Sequence, residues 1–152
     1  MIQQGDKAPN FSAQDQEGNV HTLADYAGKQ LVLYFYPKDM TSGCTVEACD
    51  FRDNLARVKN HGAEVLGVSP DSVKSHAKFV EKESLNFSLL ADEEKEIVTA
   101  YGVWKEKSMY GKKYMGVERT TFIIGEDGTI KKIFPKVSVS GHVDEVIEAL
   151  SQ

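Results

Sequence analysis

Residues 31–60 read LVLYFYPKDMTSGCTVEACDFRDNLARVKN, and this stretch decides the fold because it joins a buried strand to a helix. Its first six residues, Leu31 to Tyr36, form an unbroken apolar and aromatic run, which is typical of a strand covered on both faces of a sheet. From Cys44 to Asn60 the apolar residues recur at spacings that fit one face of a helix. The loop between the two elements therefore places Cys44 at the start of a helix.

Strand and helix patterns continue on both sides of this stretch. The predicted elements are a short hairpin over 11–21, strands over 63–68, 120–124 and 130–134, a helix that ends near 83, and helices over 92–101 and 143–150. The Lys-rich segment 104–116, WKEKSMYGKKYMG, is predicted to be a loop. This order is that of the thioredoxin fold with an amino-terminal extension. We therefore predict an α/β protein of one domain, residues 1–152, with a thioredoxin-like fold: a central mixed β-sheet flanked by helices and an N-terminal β-hairpin extension.

Composition and charge exclude several classes of function. The chain has 152 residues, of which 41% are hydrophobic, and a formal net charge of -5. An acidic surface repels nucleic acid and anionic membranes, so neither is an expected partner. The sequence shows no apolar stretch long enough to span a membrane, and its first residues, MIQQGDKAPNF, lack the pattern of a secretory leader. We therefore expect a cytoplasmic protein.

The two cysteines, Cys44 and Cys49, are separated by only four residues. A disulfide between them would close a very small loop, which gives little stabilisation, so a purely structural bridge is the weaker interpretation. In a reducing compartment a close pair is more often catalytic or metal-binding. A zinc site would need two further ligands, and the histidines show no paired spacing. We therefore predict no metal and no cofactor.

Cys44 is placed for thiol chemistry. Unpaired backbone N–H groups and the positive end of the helix dipole favour thiolate over thiol at a helix start. Gly43 allows the backbone to approach closely, and the Thr41 hydroxyl can bond to the sulfur or to a bound oxygen ligand, or simply cap the helix together with Ser42. Thiolate attack on a peroxide yields a sulfenic acid, and the departing oxygen carries negative charge that a nearby cation would stabilise.

Arg119, in the segment VERTTFII, is the preferred cation because it precedes a buried strand and never loses its charge. Arg52, which lies two turns beyond Cys44 on the same predicted helix, is the rival. Glu47, one turn beyond Cys44, could hold the arginine by a bidentate contact.

The spacing of the cysteines has a geometric consequence. Residues five apart in a helix lie about 140° around the axis and about 7.5 Å along it, so their Cα atoms are roughly 8.7 Å apart. This exceeds the limit of about 7 Å for a disulfide that forms without backbone movement. If both residues are helical when reduced, closing a Cys44–Cys49 bond must unwind the helix from Cys44 to about Asp53.

The segment Pro37 to Cys44, PKDMTSGC, matches the Pro-x-x-x-Thr-x-x-Cys signature, and through it the chain resembles the peroxiredoxin family. The following segment, TVEACDFRD, resembles the Q-type subgroup, the bacterioferritin-comigratory proteins. The resemblance to this subgroup extends over essentially the whole chain. Ser42 departs from the proline that is common in this subgroup.

The resemblance implies a thiol-specific peroxidase for hydrogen peroxide and organic hydroperoxides, with a role in antioxidant defence. Cys44 would be the peroxidatic cysteine and Cys49 the resolving one. The expected peroxide site adds Thr41 and Arg119 as catalytic residues and the substrate-binding residues Pro37, Gly43 and Glu47. Thioredoxin or a related dithiol protein is the implied reductant, and a monomer the implied state.

Two other functions use the same chemistry. A thiol–disulfide oxidoreductase acting on proteins predicts a C-x-x-C motif, whereas this chain has C-x-x-x-x-C. A peroxide sensor or chaperone would undergo the same first oxidation, so turnover with a reductant is the property that distinguishes it from a peroxidase.

Overall fold

Nine strands and five α-helices make up the computed structural model, which describes residues 2–152. The strands are β1 (Ser12–Gln14), β2 (Val20–Thr22), β3 (Gln30–Phe35), β4 (Ala63–Ser69), β5 (Ser88–Ala91), β6 (Trp104–Met109), β7 (Lys112–Val117), β8 (Thr120–Ile124) and β9 (Ile130–Phe134). The helices are α1 (Ser42–Asp53), α2 (Leu55–Lys59), α3 (Val73–Glu83), α4 (Glu96–Ala100) and α5 (His142–Leu150), with a 3₁₀ turn at Leu23–Tyr26.

The central sheet has the strand order β5-β4-β3-β8-β9. Strands β3, β4 and β5 are parallel, whereas β8 and β9 are antiparallel to their neighbours. Every residue of β3 is buried, as the unbroken apolar run predicts. The predicted mixed sheet and the amino-terminal hairpin, β1–β2, are both confirmed.

Helices cover both faces of this sheet because successive side chains of β3 point to opposite sides. Val32 and Tyr34 belong to a core that includes residues of α1, α2, α3 and α5. Leu31, Leu33 and Phe35 belong to a second core, packed against α4 and the 3₁₀ turn. Cys44 is therefore carried on the face that holds four of the five helices. Within residues 2–152, no helix is long and apolar enough to cross a membrane.

Two predicted helices have different bounds in the structure. The helix predicted from Cys44 to Asn60 begins at Ser42 and is divided into α1 and α2 at Asn54, whose side-chain nitrogen donates to the backbone oxygen of Asp50. The helix predicted over 92–101 is shortened to α4. The carboxylate of Asp92 accepts hydrogen bonds from the backbone N–H groups of Ile97 and Val98. In a helix that began at Asp92, these two groups would bond to the backbone carbonyls of residues 93 and 94 instead.

The prediction of a loop over 104–116 is wrong. This segment forms the antiparallel hairpin β6–β7, with a two-residue turn at Tyr110 and Gly111. Both turn residues have positive φ, 52° and 79°, which is the type I′ geometry that suits a hairpin. Strand β5, only four residues long, was also not predicted.

Candidate active site

Cys44 is the third residue of α1, and its side chain is buried. The chain leaves β3 at its carboxyl end, crosses the short loop 36–41 and enters α1, so the thiol lies at the carboxyl edge of the parallel strands. Cys44 and Cys49 are both free thiols.

Arg119 is the cation beside the sulfur. It lies between β7 and β8, and its guanidinium donates from Nη2 to the Cys44 Sγ at 3.3 Å and from Nη1 to the Glu47 Oε1 at 2.7 Å. Arg52 points elsewhere, with its guanidinium bonded to the Asp53 carboxylate and to a backbone oxygen of α3. The structure thus brings together Cys44, Glu47 and Arg119, and leaves the rival arginine away from the sulfur.

Burial controls the electrostatics of this group. Burial raises the pKa of Glu47 to about 7, although Arg119 acts in the opposite direction. Burial also disfavours the charged form of Arg119, but Glu47 and Cys44 outweigh it and hold the pKa of the guanidinium above its usual value. The second carboxyl oxygen of Glu47, Oε2, is buried with no hydrogen-bond partner in residues 2–152. Arg119 therefore keeps its charge while it contacts the sulfur.

Gly43 and Thr41 shape the approach to Cys44. A Cβ on Gly43 would lie 3.3 Å from Arg119 Nη2, so a side chain there would crowd the guanidinium. Thr41 occupies the N-cap position in extended conformation, but its hydroxyl makes no capping bond and donates to the Lys38 carbonyl at 2.9 Å. Of the alternatives for the Thr41 hydroxyl, the one in which it caps the helix is therefore wrong. Pro37 is half-buried, two residues after the end of β3.

Cys49 lies on the same helix, five residues beyond Cys44, and is half-buried. Its thiol donates to the Glu83 carboxylate at 3.9 Å, a contact between α1 and α3. Burial raises the pKa of the Cys49 thiol, with Arg52 opposing and Glu83 adding to the effect. Cys49 is therefore held as a protonated thiol, and both cysteines are helical in the reduced protein.

Comparison with known proteins assigns the family. The model of the AhpC/TSA family matches residues 4–133. The chain belongs to this family. Peroxiredoxin Bcp of Bacillus subtilis is 49% identical over 149 residues, which cover 98% of this chain and 95% of that protein. Peroxiredoxin Bcp of Escherichia coli K12 is 45% identical over 151 residues, covering 99% and 97%.

Solved structures agree in fold. The chain matches a cysteine-to-serine mutant of PrxQ from Xylella fastidiosa with a TM-score of 0.95 at 39% identity, over 99% of this chain and 96% of that one. It matches peroxiredoxin Q of Xanthomonas campestris with a TM-score of 0.89 at 44% identity, over 93% and 89%. The predicted thioredoxin-like fold and the resemblance to Q-type peroxiredoxins are both confirmed. The protein is a peroxidase, an oxidoreductase of the peroxiredoxin family.

A buried polar network anchors the loop that precedes Cys44 in this peroxiredoxin. The Asp39 carboxylate accepts hydrogen bonds from the hydroxyls of Tyr36 at 2.6 Å and Ser75 at 2.8 Å, and contacts His76 Nδ1 at 2.7 Å. His76 Nε2 contacts the Leu90 carbonyl at 2.8 Å, so Nε2 carries hydrogen. No local pattern in the sequence predicts this network, because its members come from a loop, a helix and a strand that are distant in sequence.

Proposed function

We propose that the protein reduces hydrogen peroxide and organic hydroperoxides through Cys44. The thiolate attacks the nearer peroxide oxygen, a sulfur–oxygen bond forms as the oxygen–oxygen bond breaks, and Cys44 becomes a sulfenic acid. The departing oxygen takes up a proton and leaves as water or an alcohol. The observation that carries this proposal is the contact of Arg119 with Cys44 Sγ, because the same guanidinium can stabilise both the thiolate and the negative oxygen.

The proposed peroxide site lies at the start of α1. The exposed Thr41 hydroxyl keeps lone pairs that can accept a hydrogen bond from the peroxide, and Pro37 and Gly43 form the adjoining wall. Glu47 is fully buried and bonded to Arg119, so in this scheme it positions the guanidinium. The bacterioferritin comigratory protein of Xanthomonas campestris has alkyl peroxide reduction activity, which supports organic hydroperoxides as substrates here.

The second step of the proposed cycle is resolution by Cys49. Its thiol condenses with the Cys44 sulfenic acid, forming a disulfide and releasing water. Both residues lie in α1, where residues five apart have Cα atoms roughly 8.7 Å apart, so the helix must open before the sulfurs can bond.

Recycling requires two electrons from outside. A dithiol protein such as thioredoxin would attack the disulfide, restore both thiols and leave as its own disulfide. We place this cycle in the cytoplasm, where the reducing environment keeps thiols free, and assign it to a monomer of one domain, residues 1–152, acting in antioxidant defence.

Peroxide consumption by the wild type, Cys44→Ser and Cys49→Ser tests the scheme, each with thioredoxin, thioredoxin reductase and NADPH. We expect Cys44→Ser to lose turnover, and Cys49→Ser to consume one equivalent of peroxide without thioredoxin-driven cycling. Normal turnover by Cys44→Ser would refute the peroxidatic role of Cys44. A wild type that is oxidised once but not recycled would favour a sensor.

A further inference from the structure

The hairpin β6–β7 stands apart from the central sheet. Its two strands hydrogen-bond to each other and belong to a separate two-stranded sheet. A hairpin that packs one face on a core normally buries alternate residues. Here every residue of the two strands except Val117, at the base of the hairpin, is exposed or half-buried.

The exposed side chains of this hairpin are apolar to an unusual degree. Four of the seven large apolar side chains that residues 2–152 expose lie on it, and Tyr110 at its turn is 99% exposed. These four are Met109, Tyr110, Tyr114 and Met115. Exposed aromatic and methionine side chains are enriched where proteins bind other proteins, so this hairpin has the composition of an interaction surface.

The hairpin also carries a net positive charge, opposite in sign to the net charge of the whole chain. Residues 104–117 contain four lysines and one glutamate, whereas the whole chain has a net charge of -5. The register pairs Lys107 with Tyr114 and Met109 with Lys112, so these side chains share one face. We call Lys105, Lys107, Met109, Lys112 and Tyr114 the basic face. Lys107 and Lys112 form no ion pair within residues 2–152.

The base of the basic face is close in sequence to the arginine of the active site. Strand β7 ends at Val117, and two residues later the chain reaches Arg119, whose guanidinium contacts Cys44. Lys105, at the base of the face, bonds to Glu118 at 3.1 Å. Two further exposed apolar side chains, Met40 and Val46, flank Cys44 in sequence. A protein docked on the basic face would therefore contact the strand that leads into Arg119.

We propose that the basic face is the docking surface for the acidic dithiol protein that reduces the enzyme. This inference rests on the proposed function. A molecule of net charge -5 repels an acidic partner on average, and a local positive face on the hairpin whose strand runs into Arg119 reverses this repulsion there. Tyr114, Met109 and the lysine stems supply apolar contact; the Lys107 stem already lies over Gly116, where a Cβ would come 3.2 Å from Lys107 Cδ.

A second copy of this chain is the less suitable occupant. Apart from Glu106, which pairs with Lys113, its acidic residues lie outside the hairpin. Contact between the hairpin of one copy and the body of another would be heterologous, and heterologous contacts that do not close into rings generate filaments. A separate acidic protein meets the face without that consequence.

The test compares Lys107→Glu/Lys112→Glu with a matched variant, Lys29→Glu/Lys59→Glu. The control changes the net charge equally, at exposed lysines beside the starts of β3 and β4, the opposite end of these strands from Cys44. Its ion pairs with Glu64, at 3.8 and 4.0 Å, are solvent-exposed and contribute little. Peroxide turnover is measured with an acidic thioredoxin and, separately, with dithiothreitol, which is too small to need a docking surface.

We expect the hairpin variant to raise the KM for thioredoxin about fivefold to tenfold, with dithiothreitol-driven turnover retained and the control variant unchanged with both reductants. Added salt should raise the wild-type KM towards that of the hairpin variant. An unchanged KM for thioredoxin in the hairpin variant would overturn the proposal. Two other results would also overturn the proposal. One is a wild-type dimer, detected by light scattering, that the hairpin substitutions abolish; the other is binding of an oligonucleotide by the wild type that the same substitutions abolish. Absence of dithiothreitol-driven turnover in the wild type would refute the proposed peroxidase cycle itself.

Discussion

Arg119 uses two guanidinium nitrogens for two tasks, one bonded to the Cys44 sulfur at 3.3 Å and one to Glu47 at 2.7 Å. Lysine carries the same charge on a single nitrogen and cannot reproduce this fork. The fork fixes the distance between charge and sulfur, because Glu47 is on the same helix as Cys44. Charge and geometry at this residue are therefore separable by substitution.

We expect Arg119→Met to lower the second-order rate constant for oxidation of Cys44 by hydrogen peroxide about 100-fold, the scale for losing one preorganised donor to a developing negative charge. Arg119→Lys should fall between this variant and the wild type, since it keeps the charge but not the fork. Stopped-flow oxidation in a Cys49→Ser background isolates this step. Arg52→Met is the matched control, because Arg52 does not contact Cys44. Equal rates for Arg119→Met and Arg52→Met would contradict the role of Arg119.

At the scale of single elements, α1 holds both cysteines and is separated from α2 by the break at Asn54. Ser42 is its first residue, where a proline would stiffen the helix start. The break means that α1 can lose its helical bonds without taking α2 with it. The buried Asp39 network holds the loop before Cys44 in place at the same time.

Oxidation should therefore open α1 locally. We expect amide hydrogen exchange to accelerate over residues 42–53 in the Cys44–Cys49 disulfide form, while α2 and α3 keep their protection. The measurement is exchange followed by mass spectrometry on reduced and oxidised protein. Cys49→Ser, treated with the same peroxide, cannot form the disulfide and should show no such change. Uniform protection across both forms would mean that the disulfide closes without unwinding.

The packing of β4 between its neighbours gives a further prediction. Gly67 is paired with Tyr34 of β3 and Leu89 of β5, and an added Cβ would lie 2.7 Å from a Leu89 methyl carbon and 2.9 Å from the Tyr34 hydroxyl. We expect Gly67→Ala to lower the free energy of unfolding by about 2 kcal/mol through overpacking. Urea denaturation measures it. Gly125→Ala, whose Cβ would make ordinary contacts of 3.4 Å or more, should be close to the wild type.

The elements that could be predicted from the sequence are those marked by a local pattern of residues, and the elements that were missed have no such pattern. Strand β3 and the hairpin β8–β9 were predictable because an apolar run and the turn EDGT are local signals. The hairpin β6–β7 was missed because both of its faces carry polar residues, so no alternation of apolar and polar residues marks it. The break at Asn54 depends on a side-chain bond to the backbone, which periodicity does not record.

In the candidate site, too, some features could be predicted from the sequence and others depend on tertiary contacts. The spacing of Thr41, Cys44 and Cys49 placed the thiols on one helix, and charge chemistry selected Arg119. The direction of the Thr41 hydroxyl and the pairing of Asp39 with His76 depend on tertiary contacts, so the sequence contained no local signal for either.

At the scale of the whole molecule, burial shifts the pKa values of two groups in opposite directions, and the two shifts have opposite effects on stability as the pH changes. Burial, with help from Arg119, lowers the pKa of His142 to about 4, and its Nε2 bonds to Thr121 between α5 and β8. The unfolded histidine titrates near 6.5, so the contribution of neutral His142 to stability is present above about pH 6.5 and is lost as pH falls towards 4. The pKa of Glu47 is raised to about 7 in the folded protein, so its carboxyl binds a proton more readily there than in the unfolded chain. The folded protein therefore becomes more stable, through Glu47, as pH falls from about 7 to 4.5.

The two contributions, each of about 3 kcal/mol at most, should largely cancel in the wild type between pH 7.5 and 4.5. We expect His142→Asn to remove the opposing histidine, so that this variant becomes more stable relative to its own pH 7.5 value as the pH falls. Glu47→Gln should show the reverse and lose stability on acidification. Urea denaturation of the three proteins at both pH values measures these slopes, and the other titrating groups, common to all three, drop out of the comparison. Parallel pH profiles for His142→Asn and the wild type would show that His142 is protonated equally in the folded and unfolded chains.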